Sequence, residues 1–209
     1  MSTRSYGQYC GLARALDVVG DRWSLLIVRE LLVGPARYGR LQAGLPGIAT
    51  NLLAERLRHL EEAGVVERHL DNGSNGVVYA LTPWGSELRG VVAAFVNWSK
   101  PLMISGPHGD SFQPQWLVVA LEALLQHKRA KTAMTVGVEV DGATYAVRIG
   151  RKGLKVTRVD ADARPDTVFR AEPMVVLGMA AGVLGVDEAI AAGDLRGDAK
   201  DLAAVFGSG

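Results

Sequence analysis

The stretch GIATNLLAERLRHLEEAG, Gly47–Gly64, concentrates side chains able to form directed hydrogen bonds. Set at 100° per residue, Leu53, Leu57 and Leu60 share one helical face. Asn51, Ala54, Glu55 and Arg58 lie opposite, flanked by Thr50 and His59. A carboxamide and a guanidinium each offer paired hydrogen-bonding groups that suit the planar edge of a base or a phosphate. Ala54 is small and allows close approach. The charge count runs the other way, with Arg56 and Arg58 against Glu55, Glu61 and Glu62. Position removes most of that conflict. Glu61 and Glu62 fall at the C-terminal end, whereas Thr50 and Asn51 hold the end that carries the positive pole of the helix dipole. Only Glu55 stays on the polar face, where it would accept from a cytosine amine or bridge to Arg56 or Arg58.

The flanking sequence must hold that face outward. Leu12–Gly20 has helical apolar spacing and ends at glycine. DRWSLLIVRELLVGP then predicts a helix with Asp21 as N-cap, an inward stripe of Trp23, Leu26, Ile27, Leu31 and Leu32, and a stop at Gly34-Pro35. RYGRLQAGLPG reads as a short helix joined tightly to the Gly47–Gly64 helix by LPGIA. Two β-rich runs, Val65–Leu70 and Gly76–Thr82, surround DNGSN, whose Asn-Gly predicts a hairpin. Three helices and a hairpin give the order of a winged helix-turn-helix, with the last helix in the major groove of double-stranded DNA. Arg56 joins the candidate DNA contacts on the helix. Arg37 and Arg40 before it, and Arg68, His69, Asn72, Ser74 and Asn75 around the wing, would hold phosphates without reading sequence.

The whole chain gives no bulk electrostatic signal. Its 209 residues are 48% apolar and 22% charged, with a formal net charge of +1. Divided at Gly106, the first part has 11 Lys+Arg against 9 Asp+Glu and the second 12 against 13, so the halves carry +2 and −1. Any nucleic-acid site must therefore be local. The glycine, proline and serine of SGPHGDSFQP mark a linker, giving expected domains of residues 1–105 and 106–209. The second half reads as a helix, QWLVVALEALLQHKRA, then β-rich runs TAMTVGVEV, ATYAVRIG and GLKVTRV. A further strand in DTVFRAE and apolar helices follow, with GDLRGDAKDLAAVF at the end. The expected class is α+β throughout: a winged helix-turn-helix, then a smaller-sheet α+β domain with mainly antiparallel strands. The single cysteine, Cys10, excludes an intramolecular disulfide and fits a reducing compartment. No apolar signal core or membrane-length run is present, so a cytoplasmic protein without membrane contact is expected.

The stretch from Cys10 to His69 resembles the HxlR-type family of bacterial winged-helix transcriptional regulators. The matching pieces are Cys10, GDRWSLLIVREL, RYGRLQ, LPGIATNLLAERLRHLEEAGVVER and VYALTPWGSEL. The resemblance implies a homodimer on a pseudo-palindromic operator, with dimer contacts from the N-terminal segment and the helix Pro83–Lys100. That helix also offers Leu88, Val91, Val92, Phe95, Val96 and Trp98. Packing against the second domain is the alternative use of that surface. Some members of the family sense oxidants or electrophiles through a cysteine near the first helix, and Cys10 is the corresponding residue. Arg14, one turn on, is expected to favour its thiolate. The other reading of Cys10 is a small residue at a helix start.

The second half resembles the sterol-carrier-protein-like fold in its strand run, in the helix after FRAEP and in AAGDLRGDAKDL. The resemblance implies an apolar ligand held between sheet and helices, with Trp116, Leu121, Val138, Val140, Tyr145, Val147, Phe169, Met174, Leu177 and Met179 as the candidate lining. The same residues would serve equally as plain core, and fold resemblance does not prove a ligand. Two functions stand: a transcriptional regulator modulated by an apolar small molecule, and a carrier of lipids or hydrophobic metabolites whose winged domain serves assembly. A module that binds only other proteins is a third. No HExxH, P-loop, GxGxxG or GxSxG motif is present, and His59, His69, His108 and His127 lack metal-ligand spacing. Catalysis, a metal and a cofactor are not expected.

Overall fold

A computed structural model describes residues 5–70, 76–160 and 163–207. The chain forms two compact units, residues 1–92 and 93–209. The division falls inside a helix and not in the glycine- and proline-rich linker expected from composition.

In the first unit, helix α1 spans Gly11–Val19 and α2 spans Ser24–Val33. Asp21 does not cap α2. The N-cap is Trp23, in the left-handed region at φ 82°, and no side chain caps the helix. Of the expected stripe, Ile27, Leu31 and Leu32 are buried, whereas Leu26 is 40% exposed. The two-residue strand β1 (Ala36–Arg37) was not anticipated from the sequence. Helices α3 (Tyr38–Ala43) and α4 (Thr50–Glu62) follow, then strands β2 (Val66–Leu70) and β3 (Val77–Leu81). The sheet order is β1-β3-β2, antiparallel, with Ala36 opposite Tyr79 and Arg68 also opposite Tyr79. The Asn-Gly turn of the hairpin lies outside the described residues.

The predicted long helix after the hairpin is three pieces: α5 (Pro83–Ser86), α6 (Leu88–Trp98) and α7 (Lys100–Met103). Thr82 caps α5 by accepting from the Gly85 N–H at 2.9 Å, while its own hydroxyl donates to the Gly64 carbonyl at 2.7 Å. Gly85 packs directly on backbone, since a Cβ there would sit 2.0 Å from the Val65 carbonyl oxygen.

The second unit begins within α6, where Asn97 Nδ2 donates to the Ala123 carbonyl of helix α8 (Trp116–Leu124) at 3.0 Å. Strands β4 (Met134–Val140), β5 (Ala143–Gly150), β6 (Gly153–Val159) and β7 (Val168–Arg170) are followed by helices α9 (Pro173–Ala181) and α10 (Val186–Ala191). Strand β8 (Asp194–Arg196) and helix α11 (Ala199–Phe206) complete the unit. The sheet order is β6-β5-β4-β7-β8. Five strands make this the larger of the two sheets, not the smaller. Only β4 and β7 pair in parallel. Strand β8 falls at the start of GDLRGDAKDLAAVF, where no strand was expected.

Alternation along β4 and β5 gives the second sheet one apolar face. Val136, Val138, Val140, Tyr145, Val147 and Ile149 are each no more than 1% exposed. Phe169 of β7 and Leu117 and Leu121 of α8 are fully buried as well. At the edge strand β6, the Val156 N–H donates to Glu122 Oε1 of α8 at 3.1 Å.

Candidate nucleic-acid interface

Helix α4 has the register expected of it. Leu53, Leu57 and Leu60 are 0%, 2% and 0% exposed and fix the helix to the unit's core. Thr50, Asn51, Glu55 and Arg58 are exposed on the other side, with Ala54 half-buried between them. Among the described residues neither Asn51 nor Arg58 forms an ion pair or side-chain hydrogen bond. Ala49 precedes the helix and supplies no side-chain cap.

The turn into α4 is anchored from α3. Tyr38 Oη donates to the Thr50 carbonyl at 2.5 Å, and Gln42 Nε2 donates to Thr50 Oγ1 at 2.7 Å. The Thr50 hydroxyl proton is thereby left to point elsewhere. Leu45 and Ile48 bury the connection, and Gly47 takes φ 86°, in the region that favours glycine. Behind it, Arg29 pairs with buried Glu30 at 2.8 Å and reaches the Gly44 carbonyl at 3.4 Å. Burial lowers the pKa of Arg29, and the adjacent Glu30 carboxylate partly offsets this. A Cβ on Gly44 would meet Glu30 Oε2 at 2.3 Å, so glycine is what permits this packing.

Other expected contacts are placed differently. The Arg56 side chain is only 18% exposed and pairs with Asp21 Oδ2 at 2.8 Å and with Glu55 Oε1 at 3.2 Å. It faces the start of α2, and it answers which arginine Glu55 engages. His59 is half-buried, with Nε2 inaccessible and unpartnered, so it does not extend the outer face. Arg37 and Arg40 are exposed at α3. On the wing, Arg68 Nε donates to Glu61 Oε1 at 2.6 Å, which raises the pKa of Arg68, and His69 Nε2 lies 3.1 Å from Glu67. Asn72, Ser74 and Asn75 lie outside the described residues. Sequence reasoning missed Tyr38 and Gln42. Their spacing of four on α3 was the available signal, since it sets both on one side of that helix.

Cys10 is the exposed residue preceding α1. Its thiol pKa is lowered by the backbone N–H of Ala13 first and of Leu12 second. Arg14 is not the cause; its guanidinium lies 3.9 Å from Asp17.

The candidate lining of the second unit forms its packed core. Leu121, Val138, Val140, Tyr145, Val147, Phe169 and Met179 are buried, and Trp116 and Leu177 are half-buried. Met174 departs from the set at 39% exposed and lines no interior. An open cleft of about 690 Å³ lies elsewhere and is mostly polar, with Glu139, Asp141, Arg170, Glu172 and Asp194 on its walls. Glu139 is buried there between Arg170 at 2.8 Å and Arg164 at 3.4 Å. Among the described residues no group of His, Cys, Asp and Glu is arranged to hold a metal, and no helix is long and apolar enough to cross a membrane.

Comparison with known proteins is informative for the first unit. Residues 18–105 match the HxlR-like helix-turn-helix model. The HTH-type transcriptional regulator YvaP of Bacillus subtilis is 34% identical, over 41% of this chain and 81% of its own. The regulator sll1512 of Synechocystis is 37% identical, over 42% of this chain and 66% of its own, so the match spans just under two thirds of that relative. The reduced form of the B. subtilis regulator YodB, a solved structure, is 32% identical, over 47% of this chain and 99% of its own, with a TM-score of 0.41. These relatives are transcriptional regulators and not enzymes.

Proposed function

The chain belongs to the HxlR-like helix-turn-helix family of bacterial transcriptional regulators, and on that premise we propose that it is a homodimer that reads an operator with α4. One observation carries this reading. Asn51 and Arg58 stand exposed and unengaged on the face opposite the buried leucines, on a helix whose N-terminal turn is tied down by Tyr38 and Gln42. Two groups with paired hydrogen-bonding capacity are thus held in place with no partner among the described residues. Thr50 and Glu55 complete the reading face. Arg37, Arg40, Arg68 and His69 position the backbone. Arg56 acts through Glu55, whose carboxylate it orients.

Dimerisation uses apolar side chains that the single chain leaves uncovered. Tyr9, Leu12 and Leu16 are exposed at α1, and Val91, Phe95 and Trp98 are exposed at spacings of four and three along α6. A second copy of the chain covers them, which sets two α4 helices about one DNA turn apart. Cys10 serves as a thiolate that an oxidant converts to an intersubunit or mixed disulfide. An apolar effector enters the second unit only by displacing its packed side chains, and it alters operator affinity through unequal binding to the two states.

The test is an electrophoretic shift with the DNA upstream of the gene that encodes the chain. Binding falls steeply with salt, and Asn51→Ala and Arg58→Ala each weaken it by roughly 1–3 kcal/mol. Saturable uptake of an apolar fluorophore with no retardation of DNA would instead make the protein a carrier.

A further inference from the structure

Six cations converge at one end of the second unit's sheet. Arg148 of β5 stands directly opposite Lys155 of β6. Arg151 and Lys152 form the turn between those strands. Arg151 Nε donates to the Lys131 carbonyl at 3.1 Å, and the Ala130 N–H donates to the Gly150 carbonyl at 3.3 Å, which draws Lys131 alongside. The Arg129 guanidinium lies over Gly153, where a Cβ would come within 3.2 Å of Cζ. All six residues are exposed, and among the described residues none forms an ion pair. Residues 126–135 and 148–158, which supply the cluster, contain no Asp or Glu.

Four acidic groups sit at the other end. Glu139, Asp141, Glu172 and Asp194 border the open cleft beyond the β4–β5 turn. At about 3.4 Å per residue, β5 separates the two ends by about 25 Å. Glu122 accepts from the Val156 N–H, and Asp166 and Asp201 border a second cleft with Met134 and Thr135, so carboxylates also lie along the sheet between the two ends. Like charges directly opposite on a sheet are destabilising. The pair leaves two exposed cations side by side with no carboxylate between them.

We propose that this basic end grips the phosphate backbone of double-stranded DNA, independently of sequence. The proposal rests on the operator-binding reading above. Double-stranded DNA suits the site better than a membrane or a single strand. Seating on a membrane or stacking on a single strand draws on exposed apolar or aromatic side chains as well as charge, and none of large size lies between Ile104 and Met174 among the described residues. Phosphate contacts need only mobile cations on an open surface, which this end supplies.

The test combines Arg148→Gln, Lys152→Gln and Lys155→Gln in the full chain, with Arg148→Lys plus Lys155→Arg as the charge-preserving control. Binding to an arbitrary duplex of about 40 base pairs is measured from about 50 to 200 mM salt. Three lost contacts lower the slope of log K against log salt by about 2.7, so the variant escapes roughly 40-fold of the salt-induced loss seen in the native chain. The charge-preserving control keeps the native slope. An unchanged slope in the triple variant overturns the proposal, as does a loss of binding to anionic lipid vesicles with DNA binding intact. Asn51→Ala with Arg58→Ala separates the two ideas. If DNA binding needs α4 but not the three cations, this proposal alone falls. If it needs the cations but not α4, the operator reading falls and the basic end stands.

Discussion

Arg56 Nη1 lies 2.8 Å from Asp21 Oδ2, which ties the middle of α4 to the turn that precedes α2. The same guanidinium touches Glu55 at 3.2 Å. One largely buried cation therefore links the unit's core framework to a carboxylate on the outer face of α4.

Breaking that link separates stability from recognition. Asp21→Asn or Arg56→Gln lowers stability by about 0.5–1 kcal/mol, because Asp21 is substantially exposed and solvent screens the pair. A double-mutant cycle read by urea denaturation gives the coupling. Additive losses would mean that the pair contributes nothing and that α4 is held by its leucines alone.

Gly85→Ala probes the close passage of α5 over the first sheet. The new methyl would meet the Val65 carbonyl oxygen at 2.0 Å, against backbone that cannot rotate away. A loss of roughly 1–3 kcal/mol is expected, as for other forced overpacking. A melting temperature equal to that of the native chain would mean that the α5 backbone moves freely.

Cys10 titrates below an ordinary thiol, because the Ala13 and Leu12 N–H groups favour its thiolate. Thiolate is the reacting form, so alkylation by iodoacetamide rises with pH and reaches its plateau at lower pH than for a free cysteine. Arg14→Ala leaves that profile in place. A profile that shifts upward in Arg14→Ala would transfer the cause to the guanidinium. Diamide followed by a non-reducing gel then reports whether two chains join.

Phe169→Ala tests whether the second unit's interior is a solid core. Phe169 is fully buried, so truncation costs about 3–5 kcal/mol and leaves an apolar void. The variant should take up a small apolar probe that the native chain excludes. Equal uptake by both would show that the native interior already opens to such molecules.

Much of the first unit was legible because its pattern is local. Leu53, Leu57 and Leu60 recur at helical spacing, and that spacing alone sets Asn51 and Arg58 outward. What escaped depended on partners distant in sequence. Ala36 and Arg37 become a strand only because Tyr79 and Val78 lie beside them. Asp194–Arg196 become one because Val168–Arg170 offer an edge. Asp21 has the chemistry of a cap, but the left-handed turn at Trp23 separates it from the helix and Arg56 claims its carboxylate. Charge totals misled most, since a sum cannot register a local cluster such as that around Arg148 and Lys155.

The bond from the Val156 N–H to Glu122 has a consequence for crowding. An outer strand with free amides is a template on which a neighbouring molecule can zip its own backbone, and copies gathered on one stretch of DNA would meet at high local concentration. By occupying a donor in the middle of β6, the α8 carboxylate interrupts that template. Copies can then crowd together without fusing into a shared sheet. Glu122→Ala should leave a chain that folds alone and precipitates when concentrated.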